Sequence, residues 1–436
     1  MSNPPPGSTP PRVRLRAIEL ENFRLFTDER LELEDDVTIL VGVNDTGKST
    51  LLDALAQYNV IIHGTGFREP LSAIDVRGPA AGPTTLGTEW AIDEQIWRHR
   101  LVLDPSRPEE FLSCGAAFWS WNPKTRVLQT HEGVFDAKNF ERLISLASIT
   151  DNDWQLDSDV PEAIWRPLEV MKLFRAPQPY LFEPGTLSMA APLDIDEVAD
   201  RNGFGWAVWL QEIINRRNDD LANLEREVRG IFPFFGRVLV REHRARVVRE
   251  TVDTSPLGAA HKPRKKRRGA PAASDLEQFA ARESRREILF ELPGAGNPAS
   301  AGGQPITVPA ANVSSGLLLT LAHFALVMTT DEGGLIALEE PENGLNARIM
   351  LDMMRAFLRT TRERRQQLIL ASHNGWWLDL LPPRAFRVLT RDGAGGHVHR
   401  PPGDDLQSFL AEQGLYASEV FGTFGPEGLL RAAVSK

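Results

Sequence analysis

The chain has 436 residues, a formal net charge of −10, and hydrophobic and charged fractions of 42% and 25%, which are ordinary for a globular protein of two or three domains. Its one cysteine, Cys114, excludes a disulfide framework and a cysteine-based zinc site, and it suits the reducing cytoplasm, where we expect the protein to be located. No run approaches 18 apolar residues, so the sequence predicts no membrane-spanning helix.

The first elements along the chain are predicted to be a short leader and a β-hairpin. Residues 1–11 are rich in proline, serine and glycine and have no apolar core, which predicts a disordered leader rather than a signal peptide. Apolar and polar residues alternate over 13–19 and again over 31–34, as in half-buried strands. We therefore expect a hairpin layer before the apolar, β-branched run 37–41.

A phosphate-binding loop is predicted directly after that run. Residues 42–50, GVNDTGKST, fit the pattern G-x-x-x-x-G-K-[ST] without a mismatch, and an apolar-periodic run follows them, which gives the strand–loop–helix order that the motif requires. Backbone N–H groups of such a loop surround phosphates, while the lysine adds a cation and the following hydroxyl can ligate Mg²⁺. The sequence thus predicts a nucleoside triphosphate site formed by Gly42, Asn44, Gly47, Lys48, Ser49 and Thr50.

The middle of the chain changes character twice. Residues 75–88 are rich in glycine, proline and threonine and are predicted to form a loop. The aromatic-rich runs 97–103 and 117–121 are typical of antiparallel strands. From about residue 137 to residue 230 the pattern becomes helical, which predicts a helical subdomain.

Two strand-like runs, 237–241 and 288–292, flank a polar, low-complexity segment over 252–280 that is predicted to be a flexible loop. It contains the basic run 261–268, which either contacts the phosphates of DNA or is a solvated loop. The net negative charge argues against a protein that coats DNA generally, but not against a local basic patch.

The second half of the chain contains an apolar strand that ends in two carboxylates. Residues 335–340 have the sequence LIALEE, and ligands of α/β sheets lie at the carboxyl end of the strands. Strand alternation directs Glu339 and Glu340 to different sides, so that one acid can hold Mg²⁺ while the other polarises the attacking water.

Two shorter motifs could contact a γ-phosphate. Ser314 or Ser315 is a suitable N-cap for the apolar helix predicted over 318–327, and alternatively the two hydroxyls, the Gly316 N–H group and the helix dipole bind the phosphate. The strand over 368–372 ends at His373, and its position after the acidic pair favours the same contact.

The order of these motifs resembles the ABC-type ATPase heads of the SMC/RecF/OLD class, over about residues 12–400. The likeness lies in five motifs: the phrase IELENFR at 18–24, the phosphate loop at 42–50, the SSG signature at 314–316, the phrase EEPENGL at 339–345 and the switch histidine, His373. It implies an α/β P-loop NTPase fold with a mixed sheet, an antiparallel β layer and a helical subdomain.

The resemblance also implies roles for individual residues. Ser49 and Glu339 would hold Mg²⁺, and Glu340 and His373 would act in the hydrolysis of ATP. Two copies would close around ATP as a homodimer in which Ser314, Ser315 and Gly316 of one copy complete the site of the other. Arg24 is either a nucleotide contact or a surface residue. DNA repair or phage defence is the expected process, with DNA and a separate nuclease or effector protein as candidate partners and no membrane.

The chain departs from the family pattern at several positions. Asp45 replaces a usual glycine, Glu339 replaces the more widespread aspartate, Asn346 and Ala347 stand where His-Pro is usual, and Asn374 replaces a serine. No glutamine has a convincing lid-loop context. Only 36 residues follow residue 400, too few for the C-terminal nuclease domain of OLD nucleases, so an ATPase head alone is expected.

Two other functions remain as alternatives. A nucleotide-gated scaffold or toxin regulator would close around ATP with little turnover. A transporter-type ATPase subunit would need a lid-loop glutamine and a surface that couples to membrane helices, and the NFR and EEPE phrases argue against it.

Overall fold

The computed structural model describes residues 12–63, 78–80, 82–93, 95–103, 113–122, 127–136, 176–193, 200–216, 218–243, 284–293 and 305–431. The chain divides into two compact units, one formed by Met1–Phe182 with Thr330–Lys436 and the other by Glu183–Thr329. The predicted leader, the part of the predicted helical subdomain over 137–175 and the predicted basic loop over 252–280 lie outside the described residues.

An antiparallel sheet forms one layer of the first unit. Its strands are β1 (Val13–Phe23), β2 (Phe26–Glu32), β4 (Thr84–Ile92), β5 (Gln95–Leu103), β6 (Ser113–Asn122) and β7 (Val127–Asp136). Their order is β2-β1-β4-β5-β6-β7. The pairing of β1 with β2 confirms the predicted hairpin, and the pairing of β5 with β6 confirms the two predicted aromatic-rich strands.

The prediction of a loop over 75–88 is wrong in its last part, because β4 begins at Thr84. This strand lies between β1 and β5 and pairs with both. Thr84, Thr85 and Thr88 are all buried there. A β-branched threonine suits a strand that has neighbours on both sides, and this tertiary pairing outweighs the loop-like composition.

The second sheet of this unit is mostly parallel. Its strands are β3 (Val37–Val41), β8 (Pro179–Tyr180), β13 (Leu335–Glu339), β14 (Gln367–Ser372), β15 (Phe386–Arg391) and β16 (Gly396–His399). Their order is β16-β15-β3-β14-β13-β8, and only the pair β15–β16 is antiparallel. β3 and β14 are buried along their whole length, as is usual for parallel strands, which accounts for their mostly apolar sequences, VTILV and QLILAS.

The helices, numbered along the chain, are α1 (Lys48–His63), α2 (Pro184–Leu187), α3 (Ala207–Arg216), α4 (Asn218–Ile231), α5 (Ser315–Thr329), α6 (Ala347–Glu363), α7 (Gly403–Gln413) and α8 (Ala417–Arg431). In the first unit, apolar side chains of α1 share one core with both sheets; it includes Phe23, Phe26, Leu51, Leu55, Tyr58, Trp90 and Ile369. This core fixes the start of α1 against the sheets, and the start of α1 is where the phosphate loop ends.

The second unit is built around α5. Its sheet has the order β10-β11-β12, with bounds Arg237–His243, Arg285–Leu292 and Ile306–Pro309, and β9 (Ala191–Pro192) pairs with β11. The helices α2, α3 and α4 pack against α5, which is buried from Leu317 to Met328. A helix that is apolar on all sides needs such enclosure. In the part of the chain that the structure describes, no helix has the length and apolar character of a membrane span.

Candidate nucleotide site

Three of the predicted motifs meet at one edge of the parallel sheet. The phosphate loop follows β3, the acidic pair stands at the end of β13, and the switch histidine follows β14. In the register of these parallel strands Glu339 pairs with Ala371, and Ser372 pairs with Val41. The strands therefore end at the same level, at the edge where open α/β sheets bind their ligands.

Lys48 is held inside the phosphate loop. Its Nζ donates hydrogen bonds to the carbonyl oxygens of Gly42 at 2.8 Å and Val43 at 2.9 Å, and the residue is only 8% exposed. Burial lowers the pKa of the Lys48 ammonium, while the charges of Glu340 and Glu339 act in the opposite direction. The loop thus places a desolvated cation where the motif requires one.

The backbone of the loop takes left-handed conformations at two positions. Asp45 has φ +62° and Gly47 has φ +102°. The first value explains why glycine is usual at position 45, and aspartate is one of the few other residues that adopt this conformation readily. At Gly47 an added Cβ would lie 2.6 Å from Cζ of Phe26, so the packing of β2 on the loop also excludes a side chain.

Ser49 and Glu339 form the oxygen-rich part of the site. The Ser49 hydroxyl donates a hydrogen bond to Oε1 of Glu339, which joins the first turn of α1 to the end of β13. Hydroxyl and carboxylate oxygens are the hard donors that Mg²⁺ takes, usually with substrate phosphates and water as its other ligands. Across the described ranges no group of three or more His, Cys, Asp or Glu side chains could hold a metal ion.

Glu340 stands in a turn that fixes its side chain. Its φ is +47°, a strained value for a residue other than glycine, and such strain clusters at functional sites. Its N–H group donates to the carbonyl oxygen of Ala371 at 2.7 Å. Its Oε1 lies 2.9 Å from Nδ1 of His373, and its Oε2 accepts from Nδ2 of Asn343 at 3.4 Å. The carboxylate is thereby oriented next to the predicted switch histidine.

Glu342 is a site residue that the sequence reasoning assigned no role. It is 5% exposed and accepts hydrogen bonds from the hydroxyl of Ser372 and from Nε1 of Trp377, the latter at 2.9 Å. Burial raises the pKa of the Glu342 carboxyl, and these two hydrogen bonds act in the opposite direction. The local sequence contains no signal for this burial, because the partners Ser372 and Trp377 lie 30 and 35 positions away.

Arg24 lies beside the helix that follows the phosphate loop. Its Nη1 donates to Oδ2 of Asp53 in α1 at 2.6 Å, and its guanidinium lies 5.4 Å from the centre of the Phe23 ring. The pairing with Asp53 was not foreseen. It shows what orients the guanidinium, whereas a contact with nucleotide remains a prediction.

Two of the departures from the family pattern are helix or turn caps. Oδ1 of Asn346 accepts from the N–H of Ile349 at 3.1 Å and so caps α6. Oδ1 of Asn374 accepts from the N–H of Trp376 at 3.0 Å and caps the 3₁₀ turn over Gly375–Leu380. Asparagine supplies a cap at both points, so the loops that carry the acids and the histidine remain ordered without the usual residues.

The predicted signature belongs to the second unit. There α5 begins at Ser315, and the preceding Ser314 acts as its cap: its hydroxyl accepts from the N–H of Leu317 at 3.4 Å, and its carbonyl accepts from Leu318 at 3.2 Å. Both serines are exposed. The capping role therefore falls to Ser314, and Ser315 presents an exposed hydroxyl at the start of the helix.

Comparisons with known proteins agree with this geometry. A family model described as "AAA ATPase domain" matches residues 14–58, and one described as "AAA domain, putative AbiEii toxin, Type IV TA system" matches residues 243–374. No curated protein sequence matches the chain significantly.

Among solved structures, the chain is similar to heads of SMC proteins. An SMC head bound to the C-winged helix domain of ScpA has 11% identity, covers 88% of this chain and 97% of its own, and gives a TM-score of 0.47. The head from Thermotoga maritima has 13% identity, coverages of 89% and 98% and a TM-score of 0.41. A head from Pyrococcus furiosus, with an extended coiled coil and bound to the C-terminal domain of ScpA, has 12% identity, covers 92% of this chain and 99% of its own, and gives a TM-score of 0.44.

The phosphate loop and the two family matches, over residues 14–58 and 243–374, support the predicted resemblance to an ATPase head of the ABC type. Its fold is α/β, with a mixed sheet, an antiparallel β layer and a helical part around α5. The fold class and the resemblance predicted from the sequence are thus confirmed.

Proposed function

We propose that the chain binds ATP with Mg²⁺ at the edge formed by the phosphate loop and the acidic pair, and that it hydrolyses the γ-phosphate bond. The observation that carries this proposal is the contact between the Ser49 hydroxyl and Glu339. These residues stand 290 positions apart, and the fold joins them beside the Lys48 ammonium, which gives both the cation and the hard oxygen ligands that nucleotide hydrolysis requires.

The residues divide into binding and proton-transfer groups. Ser49 and Glu339 would hold magnesium, which neutralises phosphate charge when bound. Lys48 would exchange its two carbonyl contacts for phosphate oxygens. Glu340 would accept a proton from the attacking water, since its carboxylate is oriented by His373 at 2.9 Å.

The proposal extends to a homodimer closed around ATP. The exposed Ser314 and Ser315, with the N–H group of the half-buried Gly316, form the kind of helix N-terminus that binds anions. In the dimer this start would face the γ-phosphate held by the other copy. Hydrolysis would remove that phosphate and separate the copies.

We propose that this cycle serves DNA repair or phage defence in the cytoplasm, with DNA and a separate nuclease or effector as partners. Its support is the family resemblance together with the basic run over 261–268. Replacing the basic residues of 264–268 by serine should flatten the salt dependence of DNA affinity, because fewer counterions are released. If the dependence of DNA affinity on salt concentration is unchanged, this segment does not contact DNA.

A nucleotide-gated toxin or toxin regulator is the second candidate function. The observation in its favour is the description of the family that matches residues 243–374, which names a toxin of a type IV toxin–antitoxin system. In this case ATP would close the dimer and turnover would be negligible. A transporter-type subunit lacks a comparable observation.

Phosphate release from ATP distinguishes these functions. The purified chain should release phosphate only with Mg²⁺, and added double-stranded DNA should change the rate if DNA is a partner. Dimer formation on addition of ATP without phosphate release would favour the nucleotide-gated regulator. If ATP causes neither dimer formation nor phosphate release, both candidate functions are contradicted.

A further inference from the structure

A buried carboxylate connects the two loops that carry the proposed catalytic pair. Glu342 lies two residues after Glu340, in the turn between β13 and α6, where the N–H of Leu345 donates to the Glu342 carbonyl oxygen at 3.1 Å. Its side chain leaves this turn and reaches across to Ser372 at the end of β14 and to Trp377 in the 3₁₀ turn that follows. It is the only acid of the sequence EEPE that is not committed to magnesium or water in the proposed function.

The hydrogen bonds continue from Glu342 to both sides of His373. The hydroxyl of Ser372 donates to Glu342 and accepts from the N–H of Asn374 at 2.9 Å. Oδ1 of Asn374 accepts in turn from the N–H of Trp376 at 3.0 Å. The histidine therefore stands in a short turn in which Ser372 is bonded to the carboxylate directly and Asn374 is bonded to it through the Ser372 hydroxyl.

The chemistry of the donors explains why an acid occupies this position. Trp377 is fully buried, and its indole N–H can only donate. The hydroxyl of Ser372 already accepts from Asn374, so it has a proton to donate. An ionised carboxylate accepts from both donors at once, and one without these partners would be costly to bury.

We propose that Glu342 is a positioning residue for ATP hydrolysis, which holds the Ser372–Asn374 turn so that His373 stays within hydrogen-bond distance of Glu340. This inference rests on the proposed hydrolysis of ATP at this site. Glu342 does not touch the reacting atoms, so its effect passes through His373. Trp377 helps to hold Glu342 in place, because its indole N–H donates to the carboxylate. This contact accounts for the burial of Trp377, although the neighbouring Trp376 is exposed.

The test compares Glu342→Gln with a matched control. Glutamine keeps the shape and, through its carbonyl oxygen, the acceptor for Trp377, but the NH2 group that replaces the other carboxylate oxygen cannot accept the Ser372 proton. We expect kcat to fall about tenfold or more with KM within about twofold, because a charge-assisted hydrogen bond is lost without a change in nucleotide contacts. Glu34→Gln is the control: Glu34 pairs with Arg387 near the start of β3, at the opposite end of the sheet, and its replacement should leave kcat within about twofold.

A second background separates positioning from general loss of structure. In the His373→Ala protein, Glu342→Gln should produce no further fall in kcat, because the residue through which it acts is gone. An equal fall in both backgrounds, or a kcat within about twofold of wild type for the single variant, would overturn the proposal.

Amide hydrogen exchange of the nucleotide-free protein tests the same inference without hydrolysis. Peptides that contain 372–377 should exchange faster in Glu342→Gln than in wild type or Glu34→Gln, while peptides of β3 remain unchanged. Unaltered exchange over 372–377 would overturn the positioning role. If the wild-type chain releases no phosphate, the proposed function fails by that result, and exchange still decides whether Glu342 holds the turn.

Discussion

Nδ1 of His373 lies 2.9 Å from Oε1 of Glu340, although 33 positions separate the two residues. The parallel pairing of β13 with β14 brings them together, because both follow directly on paired strands. Glu340 also has φ +47°, so a constrained backbone helps to direct its carboxylate to the histidine. A strained acid beside a histidine suits a group that must take a proton in a fixed direction.

Glu340→Gln should retain ATP binding and stop turnover. The amide is nearly isosteric with the carboxylate, but it cannot act as a base. We expect kcat to fall by about 100-fold or more, in the usual range for a lost general base. A stable ATP-bound dimer should then appear in light scattering.

The matched variant Glu339→Gln separates the two acids. It removes the proposed magnesium ligand, so the Mg²⁺ concentration that supports half-maximal ATP binding should rise. If Glu339→Gln stops turnover with metal binding unchanged and Glu340→Gln does not, the two roles are exchanged.

Ser315→Arg tests the closed dimer. Because Ser314 is the residue that caps α5, replacing the exposed Ser315 should alter stability by no more than about 1 kcal/mol. The arginine should block closure against the other copy and abolish turnover, while ATP binding to the monomer is retained. If the Ser315→Arg protein is a monomer and hydrolyses ATP at the wild-type rate, the homodimer closed around ATP is ruled out.

Mixing two inactive variants gives the complementary result. A mixed dimer of Ser315→Arg and Lys48→Ala chains combines one site with both intact halves and one site with both lesions. Phosphate release should partly return on mixing, provided that one intact site suffices. As a control, Ser315→Arg protein is mixed with wild type, which shows how the rate changes when active dimers are only diluted.

His323 predicts an acid-dependent loss of stability in the second unit. It is buried in α5 with Nδ1 2.7 Å from the carbonyl oxygen of Leu319, and burial lowers its pKa to about 4. Since this value is below the unfolded value of about 6.5, the stabilising contribution is complete above pH 6.5 and is lost progressively as the pH falls towards 4. The difference should be about 2 kcal/mol between pH 7 and pH 5, from 1.36 kcal/mol per pKa unit.

Urea unfolding of the wild type and of His323→Met at these two pH values measures that difference. Methionine fills a comparable volume without a titrating group, so the variant should show a smaller decrease in its free energy of unfolding at pH 5. Equal decreases in both proteins would assign the acid sensitivity to other groups.

Much of the architecture could be predicted because the parallel strands β3, β13 and β14 are mostly buried and mostly apolar. The runs that became β3, β13 and β14 each end in a polar motif, and the parallel arrangement of such strands brings their ends together. The pattern over 42–50 predicted the loop and a helix starting near Gly47, and α1 begins at Lys48. The separate run over 335–340 predicted the two acids. The local sequence was sufficient to predict these elements, because the apolar strand residues and the polar motif residues are adjacent in the chain.

The elements that were missed depend on contacts between distant positions. Residues 84–88, the first part of β4, were predicted as loop, because their threonines favour a strand only when neighbouring strands pair on both sides. Likewise, Glu342 has no local reason to be buried. Its partners Ser372 and Trp377 lie 30 and 35 positions away, and nothing in local periodicity pairs them.

Release of phosphate from Mg–ATP by wild type and by Lys48→Ala tests the central claim most directly. Lys48 is the cation that the loop holds on the carbonyl oxygens of Gly42 and Val43, and such preorganised contacts contribute roughly 3–4 kcal/mol to the transition state. The exposed Arg355→Ala serves as a control for loss of a positive charge. We predict measurable release by wild type and Arg355→Ala and background release by Lys48→Ala. A Lys48→Ala rate within about twofold of wild type would contradict the assignment of this loop as the ATPase site.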